Sequence, residues 1–228
     1  MEKENPLVSI ITPCYNGENV MHRLLDSILS QTYSNIEFIL INDGSTDHSE
    51  EIWYQYEKKF NEKGIKTIYI HQRNQGLGAA INAGLKVFTG DYLCWPDIDD
   101  YFEDTSVEKR VNFLETHKEY GSVSSDANQY MEDNLSEPVG TMASWLKHKE
   151  DEWQFEWLLK GQSLFCPGCH MLRTTSFLDV NPDRYILPSE KGDKTTKMLL
   201  PIYYKYKHGF IDEPLYNYIV YKKVDVNA

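Results

Sequence analysis

The chain has 228 residues, 41% hydrophobic and 25% charged, which suits one domain with a substantial core. Its formal net charge is −12, with 35 Asp and Glu against 23 Lys and Arg. That argues against a general binder of nucleic acid, because phosphate contacts need clustered cations. No apolar run approaches the roughly 20 residues that span a bilayer, and the start MEKENPLVSII lacks the basic region and cleavage site of a secretory leader. A cytoplasmic protein without a transmembrane segment is expected.

Strand and helix alternate through the first hundred residues. The β-branched run Leu7 to Thr12 ends at Pro13, and Asn16 and Gly17 turn it into a helix with Leu24, Leu25, Ile28 and Leu29 on one face. Ile36 to Asn42 is a second buried strand; Ser45 and Asp47 cap a helix that aligns Trp53, Tyr56 and Phe60. Lys66 to His71 is a third strand, Gly76 to Phe88 a helix rich in small residues, and DYLCWP a fourth strand. Short connections between alternating elements predict a mostly parallel, Rossmann-like sheet with helices on both faces.

Beyond about residue 103 the pattern loosens. SVEKRVNFLETHK, EDEWQFEWLLK, TTSFLDV and KTTKMLLPIYYKYKH read as helices, the last interrupted or kinked at Pro201. GSVSSDANQYM reads as strand and turn, and GFIDEPLYNYIVY as one or two closing strands. These form a smaller elaboration on the same domain: about 5–105 is one half of a single domain spanning 1–228, and about 106–228 the other. The pair Cys166 and Cys169 lacks the second pair that a zinc ribbon needs, so CPGC reads as a turn on Pro167 and Gly168.

In a parallel sheet, ligands bind beyond the carboxyl ends of the strands. Polar clusters stand at four such ends: Thr12, Pro13, Tyr15 and Asn16; Asp43; Arg73, Asn74 and Gly76; and Asp97, Asp99 and Asp100. Three carboxylates within GDYLCWPDIDDYFED repel one another unless a cation, a turn or water offsets the charge. A hard divalent ion binds such oxygens and can in turn clamp a diphosphate; the bland alternative is an acidic turn with Asp104 capping the next helix. Asp43 could accept an N–H from a nucleobase or simply make an Asp-Gly turn. Gly76 and Gly78 form a partial dinucleotide fingerprint, but Ile81 stands in place of its third glycine.

Taken together, LVSIITPCYNGENVMHRLLDSILSQTYSNIEFILINDGSTDHSEEI, NQGLGAAINAGL and GDYLCWPDIDD resemble the family-2 glycosyltransferases with the GT-A fold. The resemblance implies that a sugar moves with inversion from a nucleoside-diphosphate donor, most often UDP-linked, to an acceptor hydroxyl, assisted by Mn2+ or Mg2+. It implies that Thr12, Pro13, Tyr15 and Asp43, with Asn16, hold base and ribose, that Arg73, Asn74 and Gly76 border the base, and that Asp97 faces ribose and sugar while Asp99 takes the metal. It also implies a carboxylate base at the start of the helix KTTKMLLPIYY. The aligned position is Thr195, which leaves Asp193, or Glu190 as the alternative, as the candidate catalytic base. Tyr221 occupies a place where the resemblance implies arginine or histidine. The expected acceptor is a glycan, glycopeptide or lipid-linked sugar, with room for peripheral membrane contact and for a homo-oligomer. The competing expectation is a catalytically weak nucleotide-binding relative acting as a partner subunit.

Overall fold

The computed structural model describes residues 5–187 and 194–222. The expected alternation is present. Strands β1 (Val8–Cys14), β2 (Ile36–Asn42), β3 (Lys66–His71) and β4 (Tyr92–Cys94) alternate with helices α1 (Met21–Leu29), α2 (Ser49–Glu62) and α3 (Leu77–Val87). After β4 come β5 (Tyr101–Phe102), α4 (Ser106–Thr116), β6 (Tyr120–Met131), β7 (Gly140–Thr141) and α5 (Phe155–Leu159). The 3-10 turn Pro167–Cys169, β8 (His170–Arg173), α6 (Thr174–Val180), α7 (Lys194–Lys205) and β9 (Lys207–Val220) complete the described chain.

One sheet runs through both halves in the order β3-β2-β1-β4-β8-β6-β9-β5, with β7 on β6. Its first four strands are parallel. Beyond β4 it is mixed: β8 is antiparallel to β4 and β6, whereas β6 and β9 run parallel. The sequence expectation of strand and turn over 121–131 becomes a single 12-residue strand, because β9 pairs with its whole length. Register shifts around Asp126, opposite Pro214, absorb a residue that cannot donate to the ladder.

Period-2 alternation divides the strands between two cores. Val8, Ile10, Phe38 and Leu40 face α1, α2 and α4, packing with Leu24, Leu25, Trp53, Phe60 and Val111. Ile11, Ile39 and Ile41 face the other way, onto Ile81 and Leu85 of α3, Phe177 of α6 and Met198 of α7. Helices therefore cover both faces. The helix expected across 150–160 contracts to five residues, as the Gln154 amide donates to the carbonyls of His148 and Asp151 and closes the preceding turn.

A buried carboxylate sets the start of β4. Glu37 is fully buried on β2. Burial alone would raise its pKa, but Lys66, Ser9 and Thr89 donate to it and hold it below the ordinary value. Ser9 in turn accepts from the Gly90 amide at 2.8 Å, and a Cβ at Gly90 would lie 2.5 Å from the Ser9 hydroxyl. This close approach seats β4 against β1 and aims its carboxyl end, Asp97 to Asp100, along the same edge as the loops after β1, β2 and β3.

Candidate donor-binding site

Three loops interlock at that edge. After β1 the chain turns at Asn16, whose φ of 52° lies in the left-handed region that Asn tolerates better than most residues. The Asn16 amide donates to Ser45 Oγ at 3.0 Å, and its side-chain oxygen accepts the Thr46 amide at 2.8 Å. After β2, Asp43 reaches across to the loop that follows β3. Its carboxylate accepts from Gln72 Nε2 at 2.7 Å and from the amides of Gln75 and Gly76 at 3.0 and 2.8 Å. Gly44 has φ 75°, and a side chain there would strike the Asn74 amide at 2.7 Å. Asp43 thus shapes the loop as well as facing the cavity.

The loops and the β4 end enclose a cavity of about 670 Å³. Pro13, Tyr15, Asn16, Asp43, Asn74, Gly76, Asp97 and Asp99 all line it. Two residues of the expected set do not. Thr12 lies fully buried within β1, its hydroxyl without a hydrogen-bond partner among the described residues, and Arg73 is exposed on the β3–α3 loop. Cys14, Gly17, Val20, Leu77, Ile98 and Tyr221 line the cavity without having been singled out as binding residues; most sit next to residues that were, so only their own chemistry was unremarkable.

The three carboxylates turn out to be unequal. Asp97 Oδ1 accepts from Lys194 Nζ, and this lysine is almost fully buried. Asp100 is buried and accepts from the Ile219 amide at 2.8 Å and the Tyr216 hydroxyl at 3.2 Å, so it pins β9. Burial, then the charge of Asp99, pushes its pKa well up. Asp99 is half-buried, and among the described residues its carboxylate has no hydrogen bond to another side chain; burial first and Asp97 second raise its pKa, partly offset by its own backbone amide, Arg23 and Lys194. The Arg23 guanidinium donates to the Asp99 backbone carbonyl and to the Tyr221 hydroxyl, both at 3.0 Å. A cation therefore does stand near Tyr221, delivered from α1 instead of from the closing strand.

Does this set suit a divalent metal? Asp97 and Asp99, two residues apart in one turn, face the same cavity, and burial first and Asp97 second raise the Asp99 pKa. Hard oxygen donors of this kind fit Mn2+ or Mg2+. They form an incomplete clamp: among the described residues no group of three His, Cys, Asp or Glu could hold a metal unaided. The remaining positions would fall to water and a ligand's phosphates.

A second cavity of about 300 Å³ adjoins the first, sharing Leu77 and Asp97 with it. Met142, Phe165, Cys166, Pro167, Lys194, Thr195 and Tyr218 line the rest. Thr195, at the position where an acid was sought, is the second residue of α7 and faces this cavity. Asp193 and Glu190, the candidate bases, lie outside the described residues. Cys166 and Cys169 are free, buried thiols, with burial raising the pKa of Cys166. Trp157 stacks on His148 at 3.5 Å between ring centroids, while Trp145 and Trp153 are exposed.

The family model described as glycosyl transferase family 2 matches residues 9–180. An uncharacterized glycosyltransferase of Rickettsia prowazekii is 44% identical over 110 residues, covering 48% of this chain and 32% of its own length. Staphylococcus aureus TarS residues 1–349, solved with UDP-GlcNAc, superposes with a TM-score of 0.76 at 19% identity, over 96% of this chain and 60% of that one. A mannosyltransferase of Pyrobaculum calidifontis, solved with GDP-Man and Mn2+, gives a TM-score of 0.66 at 14% identity, over 99% and 59% of the two chains. The architecture is that of the GT-A fold. The chain spans about a third of the length of the first curated relatives that it matches.

Proposed function

The chain belongs to glycosyl transferase family 2, and from that premise we propose that it transfers a sugar from a nucleoside-diphosphate donor, UDP-linked by preference, to an acceptor hydroxyl with inversion. One observation carries the reading: Asp97 stands at the junction of two cavities. A donor in the first would present its sugar to an acceptor in the second across that carboxylate. The ligands of the two solved relatives, UDP-GlcNAc in one and GDP-Man with Mn2+ in the other, support a nucleoside-diphosphate sugar as the donor class.

In this reading, Tyr15, Pro13 and the Asp43-braced loop at Asn74 and Gly76 hold base and ribose, with Asn16 fixing the turn beneath them. Thr12 supports the loop from within the sheet, and Arg73, exposed and off the cavity wall, adds only a screened positive charge beside the nucleotide. Asp97 accepts a ribose or sugar hydroxyl. Asp99, with Asp97 beside it, would hold Mn2+ or Mg2+, which when bound neutralises charge on the diphosphate. Attack from the second cavity, on the face opposite the leaving diphosphate, inverts the anomeric carbon. Asp193, one residue before α7, is the proposed base for the acceptor proton, with Glu190 as the alternative. The acceptor is a carbohydrate hydroxyl on a glycan, glycopeptide or lipid-linked sugar, met by a cytoplasmic or membrane-peripheral enzyme. No described helix is long and apolar enough to cross a membrane.

Lys194 and Thr195 at the start of α7 favour a second reading, a nucleotide-binding relative with little turnover that serves as a partner subunit. A panel of nucleotide sugars with Mn2+ separates the two. Both readings expect thermal stabilisation, about 2.7 kcal/mol at a ligand concentration of 100 Kd. Only an enzyme releases nucleoside diphosphate, with or without an acceptor. No stabilisation by any nucleotide sugar would end both.

A further inference from the structure

We propose that Lys194 is a resident cation of the carboxylate pair: it holds Asp97 while no ligand is bound, and a divalent ion gains Asp97 only by displacing it. The inference rests on the reading of Asp97 and Asp99 as the donor-side clamp. Lys194 opens α7, its side chain is 4% exposed, and its ammonium donates to Asp97 Oδ1. An ammonium so buried needs a carboxylate partner, because an unpaired charge away from water is strongly disfavoured. Arg23, from α1, donates to the Asp99 carbonyl and the Tyr221 hydroxyl. The result is one occupied aspartate and one open one.

A metal ion and an ammonium within a few ångströms of the same carboxyl group repel each other, so they compete for it. Displacement has a route: Lys194 already lines the second cavity beside Thr195 and Tyr218. Lys194 thereby sets how much metal the site needs. A donor's phosphates would add ligands to the ion and favour the exchange, so that a bound donor strengthens metal binding.

The test begins with Mn2+ alone, titrated against the full chain by electron paramagnetic resonance. Lys194→Met should bind Mn2+ at least fivefold more tightly than the unaltered chain, and Lys194→Arg should match it. Equal or weaker binding by Lys194→Met, or no binding by either chain, overturns the proposal. A second measurement needs no variant: reductive methylation read by mass spectrometry should label Lys194 more strongly once Mn2+ and UDP are added. Undiminished protection at saturating Mn2+ also overturns it. Failure of the donor reading looks different, since Mn2+ would then bind while UDP neither binds nor strengthens Mn2+ binding.

Discussion

The loops of the parallel half are braced by near neighbours, whereas the carboxylate loop after β4 is braced from afar. Asn16 bonds to Ser45 and Thr46 across 29 and 30 residues, and Asp43 holds Gly76 across 33. The partners of the carboxylate loop are Arg23 at 76 residues, Lys194 at 97, Tyr216 at 116 and Ile219 at 119. The proposed base-binding side is thus braced within one βαβαβ unit, whereas the carboxylate loop takes its partners from α1, α7 and β9. Change in the later half should therefore alter metal use and turnover before it alters nucleotide recognition.

The largest test of that division falls on the open carboxylate. Asp99→Asn should lower donor turnover on the order of 10²–10³-fold, the cost of removing one transition-state-stabilising group. It should also make the unliganded chain more stable at neutral pH. Burial, then Asp97, raises the Asp99 pKa above its ordinary 3.8. The folded chain then binds this proton more tightly than the unfolded chain does. The group's contribution is full below about 3.8 and is lost as pH rises through the folded value. Asn does not ionise, so the gain in Tm should be absent in acid and grow toward neutrality. Metal-free melting curves across pH check the sign; a variant no more stable than the parent at pH ~7.5 would show that Lys194 and Arg23 already compensate the charge.

The same contrast explains what was legible beforehand. The strands at Ile36–Asn42 and Lys66–His71 stand where the β-branched runs placed them, and Trp53, Tyr56 and Phe60 share a buried face, because period and propensity are local signals. The pairing of β6 with β9 left no such mark. Its partners begin 87 residues apart, at Tyr120 and Lys207, and polar Ser122, Ser124, Ser125 and Asn217 are buried along it. Asp97 and Asp99 could be found from their clustering at a strand end. Lys194 could not: among several lysines late in the chain, nothing in its neighbours signals that its ammonium is buried against Asp97.

Stability of the later half offers the next test. His208, near the start of β9, sits between the hydroxyls of Ser122 and Ser124 at 2.8 and 2.9 Å. His208→Ala removes a buried ring and leaves two buried hydroxyls without it, a loss of about 2–4 kcal/mol. Burial, then His170, holds His208 well below the ordinary histidine value of 6.5, and burial takes His170 down to about 3. Stability from such groups is present above 6.5 and is lost as pH falls toward the folded values. The variant should therefore show a flatter decline of Tm than the parent between pH ~6.5 and ~5. Parallel declines would mean that the imidazole does not stay neutral between its serines.

The smallest effects concern the loop after β3: Asp43 braces it from the end of β2 and Arg73 lies on it, and the two part company. Asp43→Ala removes the acceptor for Gln72 Nε2 and for the amides of Gln75 and Gly76. The loop should lose its cavity-facing shape and UDP affinity should fall roughly tenfold, about 1.4 kcal/mol, with little change in metal dependence. Arg73 lies on the same loop, exposed and off the cavity wall. Arg73→Ala should stay within about twofold if the pocket is already formed, since an exposed charge at that distance is screened. Calorimetric titration with UDP and Mn2+ measures both. A tenfold loss for Arg73→Ala would mean that the loop folds onto its ligand. The locally braced half would then be as dependent on closure as the carboxylate side, and the division between them would lie in timing instead of in structure.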